Sequence, residues 1–218
     1  MNHYVLHELS GNHFLLSADR TIYWEEEKTL ILSDLHLGKS GHFRKHGIGI
    51  PQHVFKEDLQ RLVAAIQLHK PEKVIVVGDM FHSHNNKELQ LFLKWRNDLP
   101  HIAFHLVVGN HDILSLKWYK EANLELHYND WAIANFVFTH DIGDASIEKG
   151  KYYFSGHIHP CIRLKGLGRM SIQVPCFYFN ETFAVLPAFG KFTGTYALKI
   201  HEGDEVFALA NDKVLKVQ

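Results

Sequence analysis

The residues best suited to chemistry in this chain stand at the ends of short apolar runs. Leu30-Ile31-Leu32 leads into Ser33-Asp34-Leu35-His36, and three aliphatic residues in a row predict a buried strand. Side chains two apart along a strand share a face. Asp34 and His36 are therefore expected to offer a hard oxygen and an imidazole nitrogen to one point just past the strand end, a pairing that suits a divalent transition metal. One Asp-x-His is common by chance, so its weight comes from repetition. Lys73 to Val77 runs into Gly78-Asp79, and His101 to Val108 into Gly109-Asn110-His111-Asp112. Trp131 to Thr139 runs into His140-Asp141, and residues 151–155 into Gly156-His157-Ile158-His159. Taken singly, each tail has a plain explanation: Asn and Asp are ordinary turn residues, and His-x-His can be a surface pair. Five such tails in one chain are a poor match to accident. Asp34, His36, Asp79, Asn110, His140, His157 and His159 mix carboxylate, amide and imidazole without thiolate, which suits manganese, iron, zinc or a related ion. Seven donors are too many for one ion with an open position. They fit two ions sharing a bridging carboxylate.

Positioning these tails requires alternating strands and helices. Phe14-Leu15-Leu16, Thr21 to Trp24 and Thr29 to Leu32 predict short strands, with Glu25-Glu26-Glu27-Lys28 as a polar turn. Pro51 is expected to open a helix, and Phe55, Leu59, Leu62, Val63 and Ile66 recur at its three- and four-residue spacing, with His69 and Pro71 closing it. Strand, helix, strand over this span implies a parallel pair with a right-handed crossover. In such sheets ligands collect beyond the carboxyl ends of the strands, which places Asp79 near Asp34. A second helix is expected over 86–97 with Leu89, Phe92 and Leu93 inward, and a short one over Ser115 to Glu121. From Ser171 the pattern turns all-β: Val174 to Phe179, Thr182 to Leu186, Thr195 to Ile200 and Val206 to Ala210. These predict a second sheet packed on the first and joined by hairpins. The expected fold class is α/β, a two-sheet β-sandwich flanked by helices, in one domain over 1–218.

The chain has 218 residues, 46% hydrophobic and 22% charged, enough for a substantial core. A formal net charge of −1 excludes a global basic field for nucleic acid, so such contact must be local. The segment from Gly38 to Ile50 offers one: Lys39, His42, Arg44, Lys45 and His46 surround Phe43. Cations beside an aromatic ring can grip a phosphate backbone or stack a base, although a solvated basic loop would look the same. His82 and His84 fit either a supporting role at the site or plain surface. Cys161 and Cys176 make no zinc-type set and are expected as small apolar fillers in a reducing compartment. No basic segment followed by an apolar run marks the first residues, and no stretch reaches membrane-spanning length. A cytoplasmic location is the expectation.

The five blocks, in this order, resemble the calcineurin-like metallophosphoesterases. Ser33 to Pro51, with Gly-Lys-Ser-Gly-His-Phe-Arg-Lys-His-Gly, and the later Leu186-Pro187-Ala188-Phe189-Gly190 resemble one subgroup, the bacterial ligase-associated DNA-damage-response endonucleases or PdeM-type phosphoesterases. The resemblance implies one metal on Asp34, His36, Asp79 and His159, and a second on Asp79, Asn110, His140 and His157, with Asp79 bridging. It implies His111 as proton donor or transition-state stabiliser, with Asp112 orienting its ring. The cofactor would be two divalent ions, manganese first and iron, zinc or nickel as alternatives. His82 stands where many relatives carry a second carboxylate or an asparagine. DNA is the implied substrate, and a DNA ligase, helicase or exonuclease the implied class of partner. Two other functions compete: a small-molecule phosphoesterase for nucleotides or cyclic phosphodiesters, and a non-catalytic binding module that kept the fold.

Overall fold

The structure is a computed structural model that describes residues 3–39, 53–82, 87–165 and 171–218. The first sheet runs in sequence order: β1 (Tyr4–Leu9), β2 (Asn12–Ser17), β3 (Ile22–Trp24), β4 (Thr29–Ser33), β5 (Lys73–Val77), β6 (Ala103–Val107) and β7 (Leu124–His127). Its first four strands are antiparallel neighbours, and β4 to β7 are parallel. Helices α1 (His53–His69) and α2 (Lys87–Asn97) provide the crossovers β4–β5 and β5–β6, and α3 (Leu116–Glu121) precedes β7. Parallel strands point their carboxyl ends the same way, so β4, β5 and β6 deliver Asp34, Asp79 and Asn110 to one edge.

The continuous apolar runs of β4 and β5 follow from burial on both faces. Leu30, Leu32, Val74 and Val76 pack with Leu62, Phe92 and Trp118 of the three helices. Ile31, Ile75, Val77 and Val107 face the other way, against Phe136, Phe138, Phe154 and Phe177 of the second sheet. In α1 the buried stripe is Phe55, Asp58, Leu62, Ala65 and Ile66, with Leu59 and Val63 half-buried. The helix ends where Lys70 takes φ 47°, the left-handed conformation typical just past a helix end, before Pro71.

The second sheet departs from expectation. It begins at Trp131, well before Ser171, and runs β14-β11-β12-β13-β10-β9-β8, with β15 on β12 and β16 on β15. The segment Trp131 to Thr139 is two strands, β8 (Trp131–Ile133) and β9 (Phe136–Thr139), paired antiparallel. Ala134 makes the turn at φ 52°; alanine seldom adopts that conformation, so no turn signature marks it. Next come β10 (Tyr152–Ser155), β11 (Pro160–Lys165), β12 (Ser171–Phe179), β13 (Phe183–Val185), β14 (Tyr196–Ala197), β15 (Glu205–Ala210) and β16 (Lys213–Lys216). Of the expected hairpin joins β12–β13 is present; β11–β12 and β15–β16 are further antiparallel pairs, whereas β10 is parallel to both β9 and β13. Of Thr195 to Ile200 only Tyr196–Ala197 is strand. Cys161 and Cys176 are buried and unbridged, and burial pushes the Cys176 thiol up to about 12, so it packs as an inert filler. Among the described residues no helix is long and apolar enough to cross a membrane.

Candidate metal centre

Since β9 and β10 are parallel, His140 and the pair His157 and His159 leave the second sheet along one edge. That edge faces the carboxyl ends of β4, β5 and β6. Backbone bonds stitch the loops together: the Asp34 N–H donates to Gly78 O (3.1 Å), His36 N–H to Asp79 O (2.9 Å) and Gly190 N–H to Asp34 O (3.1 Å). The His157 N–H donates to both oxygens of Asp34, at 3.2 and 3.1 Å, so the first carboxylate also ties the two sheets. The late segment joins here too, through a bridge between Ser33 and Ala188.

Strand alternation does not bring Asp34 and His36 together. β4 ends at Ser33, and both residues have positive φ, 51° and 50°. Asp79 (48°), His157 (68°) and His159 (51°) share that left-handed conformation. It costs a non-glycine residue on the order of 1–3 kcal/mol, and such strain concentrates at functional sites. The kinks turn each chain as it leaves its strand, while the intervening Leu35 and Leu37 stay buried in the helix-side core.

The donors form two groups, Asp34–His36–His159 and Asp79–His140–His157. In the first, His36 Nε2 lies 3.3 Å from His159 Nε2, which lies 3.5 Å from Asp34 Oδ1. In the second, His140 Nε2 lies 2.9 Å from Asn110 Oδ1, 3.0 Å from His157 Nδ1 and 3.7 Å from Asp79 Oδ1. Ligands at ordinary distances of about 2.0–2.2 Å from an ion sit roughly 3.0–3.5 Å from one another, so the spacings fit. Asp79 stands between the groups: its Oδ1 faces His140, and its Oδ2 is 4.0 Å from His36 Nε2.

Ring orientation fits as well. His159 Nδ1 is 3.0 Å from the Gly194 carbonyl oxygen, which can only accept; Nδ1 therefore carries the proton and Nε2 offers its lone pair. His157 turns Nε2 toward Asp141 Oδ2, at 3.6 Å, and Nδ1 toward His140. Burial, with Lys39 and neighbouring imidazoles, drives His36 down to about 2, and burial also lowers His140. Burial works against His159 as well, but the neighbouring Asp34 carboxylate and the Gly194 carbonyl outweigh it and raise this imidazole.

Two glycines make the approach possible. A Cβ on Gly78 would stand 1.8 Å from His140 Nδ1, and one on Gly109 would stand 2.3 Å from Asp79 Oδ1. No side chain fits at either position without displacing a donor.

His111 is adjacent to the donors. Its backbone N–H donates to Asp79 Oδ1 at 2.9 Å, and its ring lies 5.4 Å from that of His36, centroid to centroid. His82, weighed between support and surface, packs on the His111 ring at 4.3 Å. Asp112 lies directly after His111 and is buried. Its oxygens accept from the backbone N–H groups of Phe81 and Gly109, both at 2.9 Å, so it braces the turn that carries His111. Burial pushes the Asp112 carboxyl up to about 7. Lys39 borders a small recess with His36, Phe192 and Thr193. Burial lowers its ammonium while Asp79 and Asp34 act to raise it. His42, Arg44, Lys45 and His84 lie outside the described residues. On the other flank, Asn110 and His140 open onto a cleft of 580 Å³ lined also by Tyr128, Asp130, Asp141 and Asp144. The contributions of Phe192, Gly194 and Tyr128 were not foreseen: single residues in loops leave no periodic signal.

The sequence profile of the calcineurin-like phosphoesterases matches residues 27–213. The chain belongs to that family. Among solved structures, the Pseudomonas putida nuclease MPE superposes on this calcineurin-like phosphoesterase with a TM-score of 0.83 at 25% identity, over 98% of this chain and 100% of that one. A phosphoesterase from E. coli, Yfce, gives a TM-score of 0.42 at 12% identity, over 84% of this chain and 88% of the other. An uncharacterized metallophosphoesterase of Campylobacter jejuni is 27% identical over 135 residues, which is 57% of this chain and 32% of that protein. The match thus spans about a third of the length of that curated relative.

Proposed function

We propose that this calcineurin-like phosphoesterase is a metal-dependent phosphodiesterase acting on nucleic acid, with DNA as its substrate class. The observation that carries the proposal is Asp79, whose carboxylate turns one oxygen toward each donor group. Asp34, His36, Asp79 and His159 would hold one divalent ion, and Asp79, Asn110, His140 and His157 the other, with manganese the first expectation. When bound, such a pair supplies Lewis acidity and a water acidic enough to attack near neutral pH.

The rest of the chemistry falls to the chain. Breaking a phosphodiester expels an alkoxide, which needs a proton or a positive partner. His111 would provide it, and its ring packs between those of His36 and His82, which supports that role. Its backbone bond to Asp79 couples its position to the shared carboxylate, and Asp112 fixes the turn from below. Lys39 adds one positive charge on the His36 flank, where a phosphate could enter. Support for nucleic acid comes from the likeness to a nuclease along the whole of both chains.

A small-molecule phosphodiester substrate is the second reading, and one observation favours it. The cleft beside Asn110 and His140 is lined by Asp130, Asp141 and Asp144, whose charges repel a long polyanion on that flank. The deciding experiment is a substrate panel with purified protein in manganese: plasmid DNA, single-stranded DNA, cyclic nucleotides and a chromogenic diester, with His111→Ala as control. DNA cleavage lost in His111→Ala supports the first reading. Intact DNA with turnover of the small diesters overturns it in favour of the second.

A further inference from the structure

Away from the centre just described, a third group of ligand-type side chains sits on the first sheet. His105 of β6 pairs directly opposite Glu125 of β7, and His127 follows Glu125 by two positions. All three therefore share one face, the face that carries Ile75, Val77 and Val107 against the second sheet. β7 and β8 are the last strands of their sheets, so the trio lies at the open margin between the layers. Trp131 of β8 closes over it, stacking on His127 at 4.1 Å and on His105 at 4.5 Å, with interplanar angles of 12° and 20°.

We propose that His105, Glu125 and His127 form a separate binding site for a zinc-class transition ion. The donor atoms converge: His105 Nδ1 is 3.2 Å from His127 Nε2 and 3.6 Å from Glu125 Oε2, and His127 Nε2 is 3.9 Å from Glu125 Oε1. Tetrahedral zinc at its usual bond lengths of about 2.0–2.1 Å sets donors roughly 3.3 Å apart. The two imidazoles already stand at that separation, matching the 3.3 Å between His36 and His159 in the main centre. Two histidines with one glutamate, leaving a fourth position open, is a recurrent zinc set. The rings are nearly buried while the Glu125 side chain is 66% exposed, so an ion can enter from solvent and the carboxylate can close by a change of rotamer. Burial holds both rings below the ordinary imidazole range, which keeps them neutral and their lone pairs free. Lys73, a nearby cation that acts on His105, is paired with Glu27 at 2.8 Å.

The competing explanation is a hydrogen bond between two neutral rings, which needs no ion. An ion would do more. It would pin the last strand of the first sheet beneath Trp131, and with it Tyr128, Asn129 and Asp130, which follow His127 directly and line the cleft beside Asn110 and His140.

The test is zinc stoichiometry on the intact chain. Metal-free protein is loaded with zinc, dialysed against a weak competing chelator, and assayed for metal per chain in wild type, Glu125→Gln and His127→Gln. The expected result is one zinc ion more per chain in wild type than in each variant, which is three against two if the main centre holds a pair as proposed above. Zinc titration should also shift the ring resonances of His105 and His127 in wild type, with at least about tenfold weaker binding in Glu125→Gln. Glu125 is exposed, so that variant carries the test even where His127→Gln folds poorly. The deciding quantity is the difference between chains: equal zinc content in wild type and Glu125→Gln overturns the proposal, whatever number of ions the main centre holds.

Discussion

The two places where histidines and carboxylates gather in this molecule are built by opposite means. The trio on β6 and β7 follows the rule for regular strands: residues two apart share a face, and a cross-strand partner completes the group. The main centre breaks that rule at every turn. Five of its seven donors sit in left-handed kinks, the set draws on both sheets, and Gly78 and Gly109 leave no room for a side chain beside His140 and Asp79. A regular ladder can place donors on a flat face near solvent. Bringing six donors around Asp79 requires leaving the ladder, and five residues with left-handed backbone are the cost. An Asp-x-His or Glu-x-His spacing is thus compatible with both constructions, and the backbone decides which is meant.

Substitutions can break this contrast in graded steps. Asp79→Ala removes the oxygen pair that faces both donor groups, and phosphodiesterase turnover should fall by more than about 10⁴-fold. Metal analysis on the same protein should show both ions of the main centre weakened together; loss of only one would mean that Asp79 does not serve both groups. His111→Ala should lower kcat by roughly 10²–10⁴-fold while metal content stays at the wild-type value. A parallel drop in bound metal would reassign His111 to a structural role. Gly78→Ala places a methyl against His140 and forces alanine into φ 78°. It should lower stability by about 1–3 kcal/mol in a denaturant titration and weaken the ion on the His140 side more than the one on the His36 side. Glu125→Gln, in the regular ladder, should leave turnover in manganese within about twofold of wild type. A large loss there would join the two regions into one functional unit.

The same contrast explains what could be read from the sequence. The runs Leu30 to Leu32 and Lys73 to Val77 announced buried parallel strands, and the spacing of Phe55, Leu62 and Ile66 announced α1, because burial on a face imposes periodicity. The donors themselves could be named because each sits directly after such a run. Their manner of convergence could not. Nothing in Ser33-Asp34-Leu35-His36 records that Asp34 and His36 take φ near +50°, since that conformation is imposed by bonds to Gly78, Asp79 and Gly190 far along the chain. The split of Trp131 to Thr139 was hidden for a related reason: Asn135 is a turn residue, but the left-handed position falls on Ala134, where alanine gives no signal. Glu125-Leu126-His127 did offer a legible signal, the same spacing as Asp34-Leu35-His36. It lay in a strand of only four residues, Leu124–His127, too short to stand out within the segment Ile113 to Asp130, and its partner His105 lies twenty residues upstream.

One consequence concerns how the molecule holds itself together. Asp34 accepts from the backbone of His157 in the other sheet, and each donor group draws side chains from both layers. Ions seated there would act as rivets through the sandwich, and divalent-ion availability would become a setting of its mechanical integrity. Saturation at a hundred times the dissociation constant adds about 2.7 kcal/mol per ion against unfolding. A chelator should therefore behave toward this enzyme as a gentle denaturant, loosening the layers and silencing the chemistry in one step.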